Sequence, residues 1–127
     1  MIDASVYTAT DKRPANASFV AAWKQAYGAQ AAPDFGAVGA WTGMAAIFEA
    51  VTKLGPTATG DAALAVLKDF KSADGPQGPI AIDPETRDVV QSVYICKVEK
   101  VGDHFENTPF ETVADVKDPW KIMNPAK

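Results

Sequence analysis

Apolar residues recur every four positions from Phe19 through Trp23 to Tyr27, with Val20 and Ala26 beside them, while Lys24 and Gln25 fall off the stripe. That spacing predicts a surface helix with one buried face. Pro14 suits its first turn, Asn16 or Ser18 is placed to cap it, and Gly28 is placed to end it. Ahead of it, residues 1–13 read as extended chain, because Tyr7, Thr8 and Thr10 favour β or coil geometry. After a loop over 29–33, a second helix is predicted from Asp34, a capping residue, to the stop signal Gly55-Pro56. Its apolar residues, among them Val38, Trp41, Met44, Ile47, Phe48 and Val51, surround most of the cylinder, which predicts packing on several sides. Gly36, Gly39 and Gly43 weaken helix propensity and point to a close approach by neighbouring backbone or a ligand. A third helix is expected from Thr59 or Asp61, with Leu64, Leu67 and Phe70 on its stripe. Lys68 and Lys71 fall in its last turns, where the helix dipole favours cations, and it ends before Asp74-Gly75-Pro76.

The pattern then changes period. Pro79-Ile80-Ala81-Ile82 reads as a short apolar strand, and residues 83–88 as a turn with Asp and Pro at its first positions. Residues 89–101 form a long strand. Its middle, Val93-Tyr94-Ile95-Cys96, is apolar on both faces and should be covered on both. Gly102-Asp103 suits a hairpin turn into His104-Phe105. Beyond about Glu106 the apolar residues are scattered among prolines and charges, which predicts a short helical turn near 112–116 in an otherwise irregular docked tail.

Composition narrows the function classes. The chain has 127 residues, 47% hydrophobic and 22% charged, which suits one domain with a small core and no second-domain linker. A formal net charge of −4 disfavours phosphate backbones and anionic lipid surfaces as partners, so no nucleic acid partner is expected. The single cysteine, Cys96, sits in an apolar run and reads as a small core residue; an intrachain disulfide and a thiolate metal site are both ruled out. No apolar stretch reaches the ~20 residues that span a bilayer. Residues 35–54 come nearest, but they contain Glu49, Lys53 and glycines and read as a buried helix. The start, Met1-Ile2-Asp3, has no basic and apolar leader pattern, so the chain reads as beginning inside a longer protein.

The order of segments resembles the C-terminal part of the type I periplasmic binding proteins of the leucine/isoleucine/valine type. Pro14-Ala15-Asn16, then Phe19 to Trp23 and Tyr27-Gly28, is similar to one family helix. Pro33-Asp34-Phe35 leading into Ala40-Trp41-Thr42-Gly43-Met44 is similar to the next, although many members carry tyrosine, aspartate and alanine where this chain has Trp41-Thr42-Gly43. Gly75-Pro76-Gln77-Gly78-Pro79-Ile80 with Asp83-Pro84-Glu85-Thr86-Arg87-Asp88 resembles a family hairpin, and the segment from Gln91 to Val98 the strand after it. The likeness runs from about Ser5 to Trp120 and rests on order and spacing together. It implies an α/β fold: part of a lobe with helices on a mostly parallel sheet, plus an antiparallel hairpin and a hinge-crossing strand. Residues 1–127 would be a C-terminal piece of a two-lobed clamshell that closes around its ligand at hinges.

The function implied is that of the extracytoplasmic, periplasmic solute-binding component of an ABC importer, with a small-molecule solute and a membrane permease as partners. Branched-chain or other hydrophobic amino acids are the family default, with aromatic acids and related small carboxylates as alternatives. The family's serine/threonine loop for the ligand carboxylate, and its acidic and aromatic residues for the ammonium and side chain, have no counterparts here. The resemblance brings the start of the second helix near the cleft, which makes Gly36, Ala37, Val38 and Trp41 ligand-side candidates, with Tyr7 at the rim. A ligand-sensing domain of a receptor or amide-type regulator is a second reading. A self-associating interaction fragment, homo-oligomeric through uncovered apolar faces, is a third.

No enzyme is expected. The one histidine, His104, lies beside a turn with Asp103 and Glu106, and no nucleophile elbow, phosphate loop or dinucleotide fingerprint is present. No cofactor is implied. Asp83, Glu85 and Asp88 around Arg87 suggest turn capping and an arginine–carboxylate pair before a cation site, so no metal site is assigned.

Overall fold

The computed structural model describes residues 1–125. Its elements run β1 (Ile2–Ser5), α1 (Pro14–Tyr27), α2 (Phe35–Leu54), α3 (Gly60–Leu67), β2 (Lys71–Gly75), β3 (Gly78–Ile82), β4 (Val89–Val101), β5 (His104–Val116) and α4 (Pro119–Met123). They form a five-stranded open sheet in the order β1-β4-β3-β2, with β5 also on β4. β4 is the spine. β5 runs along one edge of it, and β3 and β1 share the other, β3 at residues 89–91 and β1 at residues 94–97. This is the mixed helix-and-sheet character expected of an α/β lobe. The parallel pairing expected within the sheet is not found among the described strands, whose ladders are all antiparallel.

The helix ends follow capping chemistry. Asp34 accepts a hydrogen bond from the Ala37 amide at 2.9 Å and starts α2, and Gly55, at φ 75°, ends it. Thr59 caps α3 through the Ala62 amide. Asn16 does not cap α1. The N-cap is Arg13 with Pro14 at the first helical position, and Asn16 points inward, fully buried.

Three expectations need correction. α3 stops at Leu67, and Lys71 lies in strand β2, not in the helix; Phe70 is buried, and its carbonyl accepts from the Ile82 amide at 3.0 Å. The segment after Gly102-Asp103 is not an irregular tail but a 13-residue strand, followed by the short helix α4. Finally, α2 is not wrapped on several sides. Only Val38 and Ala50 are buried, while Phe35, Trp41, Met44, Ile47, Phe48 and Val51 are 46–69% exposed. With 20 residues and a mean hydropathy of 1.2, α2 is also long and apolar enough to cross a membrane by length and composition.

The core lies where the β1–α1 connection meets both long helices. Tyr7, Phe19 and Val38 are buried together, with Ala9, Trp23 and Ala37 packed against them. A second buried layer follows the sheet: Phe70, Ile80, Tyr94 and Cys96. Cys96 is fully buried, as its apolar surroundings predict, and burial pushes its thiol pKa up, with Asp3 adding to the shift.

Candidate functional site

Two polar networks frame the β1–α1 connection, and the second of them reaches α2. In the first, Asn16 ties the β1–α1 connection to α1. Its Oδ1 accepts from the Tyr7 hydroxyl at 2.8 Å, and its Nδ2 donates to the Asp11 and Ala9 carbonyls at 2.8 and 3.2 Å. One buried amide thus satisfies groups that would otherwise be stranded in the core. The Tyr7 ring meets Phe19 edge-on at 6.2 Å. Burial first, and Asp11 second, push the Tyr7 phenol up to about 12.

The second network joins four segments. Arg13 grips Asp11 with two parallel bonds, Nε to Oδ1 at 2.7 Å and Nη2 to Oδ2 at 2.8 Å. The hydrogen bonds from Arg13 hold the Asp11 carboxyl below its ordinary range. Arg13 Nη2 also donates to the Tyr94 hydroxyl at 2.9 Å, and that hydroxyl donates to the Gln77 carbonyl at 2.5 Å. Gln77 Nε2 then donates to Thr42 Oγ1 at 2.8 Å, which reaches the middle of α2. The next residue, Gly78, has φ 96° and lies so close that a Cβ there would meet Arg13 Nη1 at 1.9 Å and the Tyr94 hydroxyl at 2.6 Å. The Gly75-Pro76-Gln77-Gly78 turn is therefore built around the Arg13 side chain.

Against this frame the sequence-derived site residues separate. Tyr7 and Val38 are 5% and 2% exposed, Ala37 is half-buried at the same cluster, and Trp41 joins it through Phe19, with ring centroids 5.4 Å apart. Gly36 lies exposed in the first turn of α2, and Trp41 is 53% exposed. Trp41 belongs to an aromatic ladder, Trp41–Phe19–Trp23–Tyr27, that floors an apolar groove of about 580 Å³ between α1 and α2. The sequence reading missed the roles of Asn16, Arg13, Gln77 and Tyr94. The signal was partly present: Asn16, Gln77 and Tyr94 sit inside the motifs that carry the resemblance and Arg13 directly precedes the first, but no spacing rule shows which of them meet.

The other candidate chemistry resolves into local structure. His104 Nε2 lies 2.8 Å from Glu106 in the exposed start of β5. Asp83 caps its turn by accepting from the Glu85 and Thr86 amides at 2.9 and 3.3 Å. Its ion-pair partner is Lys117 at 2.8 Å, not Arg87, and Asp88 pairs with Lys121 at 2.6 Å. The Lys117 hydrogen bond, then the two amides, lower the Asp83 carboxyl to about 2.

A family model described as periplasmic binding protein matches residues 1–103. A curated relative from Brucella abortus (strain 2308), the Leu/Ile/Val-binding protein homolog 6, is 31% identical over 114 residues, covering 89% of this chain and 29% of its own. The solute binding protein of an ABC transporter from Rhodopseudomonas palustris BisB5, solved in complex with 3,4-dihydroxy benzoic acid, superposes with a TM-score of 0.88. It is 45% identical, over 95% of this chain and 32% of that one. A second solute binding protein, from Rhodopseudomonas palustris HaA2 with p-hydroxybenzoic acid, superposes with a TM-score of 0.84 at 28% identity, over 94% of this chain and 32% of that one. The chain belongs to the periplasmic binding protein family and has the type I fold, as the sequence motifs implied. It spans 29–32% of the length of these relatives.

Proposed function

We propose that this chain is one part of the extracytoplasmic solute-binding component of an ABC importer, and that the whole protein captures an aromatic monocarboxylate. The observation that carries the reading is the 45% identity, over 95% of the chain, to a solute binding protein that holds 3,4-dihydroxy benzoic acid. The exposed apolar face of α2 supports it. A helix with Trp41, Met44, Phe48 and Val51 open to solvent is built to be covered, and the relatives are about three times longer than the matched stretch. On this reading α2 is a lobe helix and not a membrane span.

Within the site, Gly36 and the exposed edge of Trp41 face the ligand side, and Ala37 lies at the boundary. Tyr7 and Val38 form the buried backing that fixes the start of α2. Binding is by closure of two lobes, with no covalent step and no cofactor, and the closed complex is handed to a membrane permease. The branched-chain amino acids remain the second reading, supported by the name of the Brucella relative.

Calorimetric titration of the longer protein that carries this chain, with 3,4-dihydroxybenzoate, 4-hydroxybenzoate, benzoate and leucine, tests the proposal. Saturable binding of a benzoate at one site per molecule is expected. Binding of leucine alone would transfer the reading to amino acids, and no binding by any of the four would remove it.

A further inference from the structure

A second groove, of about 510 Å³, lies on a different face, between α2, α3 and the end of β3. Its apolar lining includes Ile47, Leu64, Leu67 and Ile82, and its charged lining residues are Lys68 and Arg87, with no carboxylate among them. Neither cation makes an ion pair among the described residues. Of the acidic neighbours of Arg87, Asp83 is held by Lys117 and Asp88 by Lys121, and Glu85 makes no ion pair with it among the described residues.

The backbone at Arg87 is the second observation. Its φ is 63°, in the left-handed region, where glycine is the least costly residue. The turn that imposes this conformation is closed by the Arg87 amide on the Asp83 carbonyl and the Asp83 amide on the Asp88 carbonyl, both at 2.8 Å. The fold itself would be served at least as well by glycine. A large cationic side chain is kept there at a conformational cost, and it lines the groove.

We propose that this groove is a binding site for a small amphiphilic monoanion, its apolar body on Ile47, Leu64, Leu67 and Ile82 and its carboxylate between Lys68 and Arg87. The site is separate from the α2 start and does not depend on the solute reading above. Its volume falls within the ~300–1,000 Å³ of small-molecule sites, and two cations over an apolar floor match a carboxylate on a hydrocarbon body.

The test uses backbone amide NMR of the full-length protein, titrated with benzoate and, in parallel, with neutral benzyl alcohol. Saturable benzoate shifts are expected at residues 43–47, 64–68 and 82–87, with weaker binding of benzyl alcohol. Arg87→Gly separates fold from function: its unfolding midpoint stays level or rises while benzoate affinity falls by roughly tenfold. Lys68→Gln should weaken binding in the same direction. Equal binding of benzoate and benzyl alcohol, an unchanged affinity in R87G, or shifts confined to residues 36–41 would each overturn the proposal. Shifts confined to 36–41 would instead support the cleft reading.

Discussion

Substituting Gly78 by alanine tests whether the Gly75-Pro76-Gln77-Gly78 turn is built around Arg13. Two costs add. An alanine held at φ 96° occupies backbone space that L-residues disfavour by roughly 1–2 kcal/mol. The new methyl would also lie 1.9 Å from Arg13 Nη1 and 2.6 Å from the Tyr94 hydroxyl. The guanidinium can swing away, but doing so breaks its bond to Tyr94 and loosens the grip on Asp11, a loss of about 1–3 kcal/mol for a charge-assisted contact in a half-buried site. The sum is about 2–5 kcal/mol. Urea unfolding followed by tryptophan emission measures it. A double-mutant cycle with Arg13→Ala isolates the part that runs through the guanidinium: in that background G78A should cost the backbone strain and the remaining contact with the Tyr94 hydroxyl, leaving a coupling of about 1–3 kcal/mol. A loss below about 0.5 kcal/mol, or strict additivity with R13A, would refute the claim that Gly78 is required by the Arg13 network.

Asn16→Ala strands the buried Tyr7 hydroxyl and leaves the half-buried Ala9 and Asp11 carbonyls without their donor, and urea unfolding should show a loss of about 2–4 kcal/mol; a loss under 1 kcal/mol would mean that water replaces the amide. The Tyr7 phenol, raised to about 12 from 10.0, contributes stability that is whole below pH 10 and lost as pH climbs towards 12. Phenolate absorbance should show one late-titrating tyrosine that Tyr7→Phe removes, and ordinary titration of every tyrosine would contradict this. Asp83 is shifted the other way, so its contribution is present above its ordinary 3.8 and disappears as pH falls through about 2. Lys117→Gln should bring the carboxyl back towards its ordinary range in a carbon-detected NMR titration, whereas an unmoved value would assign the whole shift to the Glu85 and Thr86 amides.

Elements whose signals are local were legible in the sequence. Pro14, Gly28, Asp34 and Gly55 mark helix ends by backbone rules that need no tertiary partner, and the structure places those ends there. β5 was not legible, because its side-chain alternation is broken twice. Register shifts fall between Ile95 and Cys96, where Phe110 is the unpaired extra residue, and between Gln91 and Val93, where Asp115 takes φ 53°. Each shift moves the following residues to the other face, so Phe105, Phe110, Val113 and Val116 follow no period of two. Pro109 is tolerated because β5 is an edge strand, paired only with β4. β2 was hidden for a similar reason: Lys71 and Asp74 lie on an edge strand with no apolar face. The apolar circumference of α2 was read correctly as a pattern. What covers it is not a property of the helix, and within the described residues most of that surface is open.

The site was legible only as a neighbourhood. Glycines and small residues at the start of α2 suggested close approach, yet among the described residues a Cβ at Gly39 or Gly43 would meet nothing within 4 Å. Asn16 looked like a cap because Asn before a helix usually is one, and only the fold shows Pro14 taking the first helical position and leaving Asn16 to the core.

The most direct test of the proposal that this chain is one part of a longer solute-binding protein is a crystal structure of that longer protein, grown with 3,4-dihydroxybenzoate. The account predicts aromatic density in a closed cleft, in contact with the first turns of α2 at Gly36 and Trp41, with the exposed face of α2 buried against the remainder of its lobe. Ligand density enclosed wholly by residues outside this chain, or an α2 face still open to solvent, would contradict it.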